Sequence, residues 1–356
     1  LSGFPYVTAQ LWTTSFSLPE KFVGSLPSAP NLVELYRNWQ LIYRCLCNRQ
    51  SLRSSALIED DTLEIHEVGL TNVSQVSFDK LCQQLCIDLN AWFASKDFLR
   101  VERQLRSHLH PSENVRIILE TNDEWLRRLP FYQWELLQDY PKASIALSKP
   151  EYKRRPSLQA SSPRQTIRIL AILGNSQGID LESEAQFLRG LWDAETTFLI
   201  NPSRQEFNTQ LWSKLGWDIL FFAGHSQTEG QTGRLYINEE PVNNSITIEQ
   251  LEEALKAAID RGLKLAMFNS CDGLGLASAL ERLDIPVTVV MREPVPNRVA
   301  QEFFKYFLEA FAIDHLPFYQ AIRQSCRRLQ GLEDEFPGAS WLPVMCQNPA
   351  TEPPTW

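Results

Sequence analysis

Two residues in this sequence stand where a nucleophile and its base would have to stand. His225 follows the apolar run Asp218-Ile-Leu-Phe-Phe-Ala-Gly224, and Cys271 follows Lys264-Leu-Ala-Met-Phe-Asn269-Ser270. The chemistry such a pair performs is acyl transfer. A thiolate attacks a peptide carbonyl, and an imidazole moves the thiol proton to the leaving amine. The oxyanion that forms needs backbone N–H donors, and the amides of Ser226 and Cys271 are the candidates. Gly224 lets the chain swing sharply at His225, and Gly273 and Gly275 allow a tight turn after Cys271. Asn269 and Asp272 flank the thiol and are candidates to shape a substrate pocket or orient the dyad. No metal or cofactor is needed for this bond-breaking step.

Those roles require specific elements beneath them. Each apolar run reads as a buried parallel strand. A helix over 248–261 lies between them, with Thr247 and Gln250 as a capping box and Gly262 as its stop. A right-handed crossover through that helix makes the two strands neighbours, roughly 4.8 Å apart. The imidazole and thiol then project from one edge, at the carboxyl ends of the strands, where open parallel sheets bind ligands. The surrounding sequence alternates in the same way. Strands are expected at 167–173, 196–201, 286–291 and 341–346, with a short hairpin piece at 234–238. Helices are expected at 181–194, 204–215, 276–283, 297–311 and 316–330. The fold class is therefore α/β, a mostly parallel sheet with helices on both faces.

The N-terminal part reads differently. Apolar spacing predicts a helix over about 30–50 and another over 78–108. A strand follows at 115–120, and Pro130 begins a further helical stretch to Leu137. Residues 149–166 are basic, Pro/Ser-rich and poor in apolar side chains, which marks a linker. The organisation expected is an N-terminal extension at 1–77, an N-terminal α/β subdomain at 78–148, the linker, a core at 167–349 and a tail at 350–356.

Bulk composition narrows the partners. The 356 residues are 44% apolar and 22% charged, with a net charge of −9, ordinary for a chain with a real core. An acidic chain repels phosphate backbones, so nucleic acid is a poor partner. The longest apolar runs fall far short of a membrane span, and the N-terminus lacks the pattern of a secretion signal. The sequence begins with Leu rather than Met, which suggests a fragment of a longer protein. Seven cysteines without a secretion signal fit reduced thiols in the cytoplasm better than a disulfide framework.

The stretch AGHS, with the cysteine of FNSCDGLGLA 46 residues after its histidine, resembles the CHAT domain, a bacterial family related to caspases, metacaspases and separase. Arg128-Leu-Pro-Phe-Tyr-Gln-Trp-Glu-Leu-Leu137 is similar to that family's N-terminal subdomain signature, and VVMREPVPNRVAQEFFKYFLEAF and GASWLPVMCQNP are similar to its C-terminal part. The resemblance covers roughly residues 80–349. It implies a caspase-haemoglobinase-like fold with a Cys-His dyad, onto which His225 and Cys271 map one for one. It also implies a cysteine endopeptidase acting on a protein or peptide substrate, regulated by a partner protein or ligand. Two positions depart from the pattern. Ser226 stands where relatives often have Gly, and Asn269 stands where relatives that cleave after Arg or Lys often have Asp. Basic specificity is thereby put in question, with Asp272 as the candidate to supply the missing charge.

Other readings compete. The same fold could serve as a catalytically inactive interaction or scaffold module. Gly224-His225-Ser226-Gln227-Thr228 has part of a serine-esterase elbow, with Ser226 as nucleophile, but Thr fills the fifth position and His315 is the only downstream histidine. Gly174-Asn175-Ser176-Gln177-Gly178 reads as a plain β–α turn rather than a phosphate cradle. Cys45 and Cys47, and Cys82 and Cys86, lie in apolar helical patterns and read as core rather than as a zinc site. His108 and His110 read as surface residues. Lys153-Arg154-Arg155 in the linker is either a solvated basic stretch or a cleavage site.

Overall fold

The computed structural model describes residues 1–13, 18–47, 75–153, 166–177, 179–229, 232–271 and 273–356. Their packing separates two units. Among the described residues, the first unit takes those up to Tyr43, those from 75 to 117 and those from 123 to 145, and the second takes the rest.

The first unit opens on an antiparallel hairpin, β1 (Phe4–Leu11) and β2 (Glu20–Leu26). Helix α1 (Pro30–Cys47) buries Leu32, Tyr36, Trp39 and Tyr43, residues three and four apart on one face. The apolar spacing over 78–108 suggests one helix, but two form, α2 (Gln75–Phe93) and α3 (Lys96–His108). Residues five apart on a continuous helix point about 140° apart. The break at Ala94-Ser95 instead lets Phe93 and Phe98 stack with ring centroids 5.1 Å apart, and Phe93 also meets Trp134 at 4.6 Å.

Strand β3 (Arg116–Glu120) is followed by α4 (Glu124–Arg128), a 3-10 turn (Phe131–Gln133), α5 (Leu136–Asp139) and β4 (Ser144–Ser148). The single helical stretch expected from Leu129 to Leu137 is interrupted because Pro130 holds Leu129 extended, at ψ 145. Leu129, Phe131, Trp134, Leu136 and Leu137 of that segment are buried, and the Trp134 indole donates to Glu102 at 3.3 Å.

The second unit alternates strands and helices in chain order. It runs β5 (Ile167–Leu173), α6 (Glu182–Arg189), β6 (Ala194–Ile200), α7 (Arg204–Leu211) and β7 (Ile219–Ala223). A small antiparallel sheet follows, β8 (Ser226–Glu229), β9 (Thr232–Tyr236) and β10 (Ser245–Thr247). Then come α8 (Glu252–Asp260) behind a 3-10 turn, β11 (Leu265–Asn269), α9 (Leu274–Glu281), β12 (Val287–Met291), α10 (Asn297–Leu308), α11 (Phe318–Leu329) and β13 (Pro343–Gln347). A π-helical turn, Glu309–Ile313, continues α10.

The main sheet has eight strands in the order β3-β4-β13-β12-β11-β7-β5-β6. The pairs β6/β5, β5/β7, β7/β11, β11/β12 and β13/β4 are parallel, and β12/β13 is antiparallel. Strands β7, β11 and β12 are buried along their whole length, as unbroken apolar runs in a covered parallel sheet should be. No helix among the described residues is long and apolar enough to cross a membrane.

Candidate active site

Register places the two candidate residues. Strand β7 pairs in parallel with β11 so that Ala223 faces Asn269. His225 and Cys271 each follow two residues later, so they leave neighbouring strands at equivalent points on one rim. Gly224 makes the exit possible with φ +148, a backbone angle side chains resist. On the cysteine side, the Gly273 N–H donates to the Met291 carbonyl at 2.7 Å, pinning the turn after Cys271 to the end of β12. A Cβ at residue 273 would lie 2.5 Å from Val290 Cβ, so only glycine fits there.

The histidine is oriented by the turn after β5. Its Nε2 lies 2.9 Å from the Gln177 carbonyl. A carbonyl only accepts, so Nε2 carries the proton in this bond and Nδ1 bears the lone pair that can act as base. Gln177 is itself held by Asn175, whose side-chain oxygen accepts from the Gln177 N–H at 3.0 Å. The Asn175 N–H donates to Tyr236 in β9 at 2.9 Å. The β–α turn read from the sequence is present, and its service to His225 was not legible there. Gly178 lies outside the described residues.

Ser226 joins the two strand ends. Its hydroxyl donates to the Cys271 carbonyl and lies 2.9 Å from the Ser270 hydroxyl. The Tyr236 N–H donates to the His225 carbonyl at 3.0 Å, while Ser226 is register-paired with Leu235. That makes Ser226–Leu235 the non-hydrogen-bonded kind of antiparallel pair, so the Ser226 amide points away from β9. The esterase elbow needs a strand-to-helix turn at Ser226. The structure corrects that reading, because Ser226 begins strand β8 and its hydroxyl is engaged with the cysteine turn.

Burial differs from expectation. The polar surroundings of Cys271 suggest an exposed thiol, yet Cys271 and His225 are each only 1% exposed. The segment after β12 reaches the thiol. The Val295 N–H lies 3.4 Å from the Cys271 Sγ, and the Val295 carbonyl lies 3.9 Å from it. Asn269 also turns inward, donating its amide to buried Glu184 of α6 at 3.0 Å. Glu184 lies 85 positions from Asn269, and nothing in its local pattern marks it. Asp272 lies outside the described residues. Among those described, no three His, Cys, Asp or Glu side chains gather as metal ligands.

The CHAT domain family profile matches residues 99–341. The chain belongs to the CHAT domain family. Two crystal structures of the Saccharomyces cerevisiae separase–securin complex resemble this CHAT chain at 10% and 13% identity, both with a TM-score of 0.42. Each alignment covers 88% of this chain and 22% of the other, so the CHAT chain spans about a fifth of the protein it matches. Gingipain R, described as an Arg-specific cysteine proteinase, aligns at 10% identity and a TM-score of 0.39, covering 59% of this chain and 55% of its own. No relative was found among curated proteins. The CHAT core is a mixed α/β fold built on a mostly parallel eight-stranded sheet.

Proposed function

We propose that the chain is a cysteine endopeptidase that cleaves a protein or peptide substrate with a Cys271–His225 dyad. The observation that supports this reading is the Ala223–Asn269 register, from which the segments carrying His225 and Cys271 leave neighbouring parallel strands at equivalent positions on the carboxyl rim. The Cys271 proton passes to Nδ1 of His225, and the thiolate adds to the scissile carbonyl. The oxyanion takes hydrogen bonds from the backbone amides of Ser226 and Cys271. The C–N bond breaks as His225 returns the proton to the leaving amine, and water, deprotonated by His225, then hydrolyses the thioester.

Asn269 shapes the substrate pocket or orients the dyad, and Asp272 is assigned to the same pocket from sequence. The bond-breaking step uses no cofactor. Regulation by a partner protein or ligand, and a reducing cytoplasmic setting, complete the reading. A peptide-library cleavage profile tests it. Wild type should give discrete products and Cys271→Ala should give none, a loss of at least a thousandfold. Equal profiles for the two would end the peptidase reading.

A second reading has one observation in its favour. The burial of both Cys271 and His225 suits a catalytically inactive interaction module. Thiol alkylation separates the two. An activated Cys271 labels ahead of the other thiols at neutral pH, in purified protein or native extract, and an inert one does not.

A further inference from the structure

We propose that Pro294-Val295-Pro296 is a clasp that shields the Cys271 thiol and has to swing away before a substrate carbonyl can reach it. The proposal rests on the reading of Cys271 as the nucleophile. Three observations converge on it.

The first is access. A carbonyl carbon has to come within about 3–3.5 Å of the attacking sulfur. Cys271 is 1% exposed and Val295 is fully buried at 0%, so the closed arrangement leaves no such approach.

The second is chemistry. Proline has no N–H, so Pro294-Val295-Pro296 offers a single backbone donor, that of Val295. That donor lies 3.4 Å from Sγ, and the carbonyl of the same residue lies 3.9 Å from it. One residue therefore meets the sulfur as donor to its lone pair and as acceptor for its S–H. The flanking prolines fix φ and hold that residue in place with little conformational freedom to lose.

The third is topology. The register of β11 on β12 pairs Leu265 with Val287 and Met267 with Val289, so the chain leaving β12 runs beside the turn leaving β11. The clasp is tied at both ends. The Arg292 N–H donates to the Leu342 carbonyl at 2.8 Å, and Pro296 is the N-cap of α10, its carbonyl accepting from Ala300 at 3.1 Å. The five residues from Arg292 to Pro296, anchors included, form a strap short enough to sit on the thiol.

The test is cysteine-resolved alkylation with iodoacetamide, read by mass spectrometry on the full chain. Buried Cys326 and Cys346 report on folding, and exposed Cys45 gives the open reference. In wild type, Cys271 should label at least a hundredfold more slowly than Cys45. Replacing both prolines with glycine, Pro294→Gly with Pro296→Gly, should raise the Cys271 rate at least tenfold while Cys326 and Cys346 stay slow. Val295→Ala should raise it severalfold by opening the cover while keeping both prolines. If all three buried thiols of the double variant label together, that variant has unfolded and Val295→Ala decides. Wild-type Cys271 labelling as fast as Cys45, or folded variants that leave its rate unchanged, would overturn the clasp. Variants that expose the thiol yet never cleave peptide would retain the clasp and defeat the peptidase reading. A wild type that cleaves peptide with no change in the variants would do the reverse.

Discussion

The two ends of the main sheet are built from the same strands and solve opposite problems. At the amino rim, polar groups serve to lock strands together. Asp218 accepts from the Arg168 N–H through its side chain at 3.0 Å and from the Lys264 N–H through its carbonyl at 3.0 Å. The Arg168 guanidinium lies 4.5 Å from the Trp217 ring centroid and donates to Glu195 at 3.2 Å. At the carboxyl rim, His225, Ser226, Asn269, Ser270 and Cys271 are all buried, and the side-chain bonds of Ser226 and Asn269 run to the cysteine turn and to helix α6 rather than along the sheet. Burying polar groups is costly unless each is satisfied, so such a cluster is the expensive end of the sheet. That cost falls at the rim that carries His225 and Cys271, while the other end holds the strands in register.

Substitutions at the two rims should therefore separate stability from activity. The largest effect expected on stability is at the amino rim, where Trp217→Ala removes a fully buried indole and should cost about 3–5 kcal/mol. Chemical denaturation should read that loss, with activity per folded molecule unchanged. Gly273→Ala at the carboxyl rim forces a Cβ against Val290 and should cost about 1–3 kcal/mol. Unlike Trp217→Ala, it should also slow Cys271 alkylation or catalysis in the molecules that remain folded. Ser226→Ala removes the stitch to the Cys271 turn and should lower kcat about tenfold without abolishing cleavage. Complete loss would return the serine to the role of nucleophile. Asp218→Asn at the amino rim should have the smallest effect, about 1 kcal/mol in denaturant and none on kcat. A large kcat change there would erase the division of labour between the rims.

Much of this contrast can be read in the residues before any coordinates. Strands β5, β7, β11 and β12 are apolar runs with abrupt polar ends, and the helix between β7 and β11 carries its own start and stop signals. Those features suffice to put His225 and Cys271 on one rim. Short elements were harder. Strand β4, Ser-Ile-Ala-Leu-Ser, has too little pattern to distinguish it from a loop, and the β1–β2 hairpin has no paired turn residues to announce it. The split between α2 and α3 has no Gly or Pro at Ala94-Ser95, and is set by aromatic stacking between residues that a continuous helix would hold apart. Within the site, the residues missed are those that act through tertiary proximity. Asn175, Gln177, Glu184 and Val295 lie far in sequence from His225, Asn269 and Cys271, and Gln177 and Val295 act through backbone atoms that no side-chain motif records.

The order of strands carries one more consequence, for how the molecule assembles. β13 is near the C-terminal end of the sequence yet occupies an interior place, between β12 and β4. Its neighbourhood is sealed by Asn348, whose amide donates to the Lys153 carbonyl at 2.9 Å across 195 positions. A ribosome delivering this chain releases β4 and β12 long before the strand that joins them. Until Pro343–Gln347 emerges, both flanks of that gap are open strand edges. Contacts of such long range slow folding and leave those edges available for wrong pairing. The sheet is thus closed only once Pro343–Gln347 has been made, and a chain cut short before residue 343 would lack the strand that sits between β12 and β4.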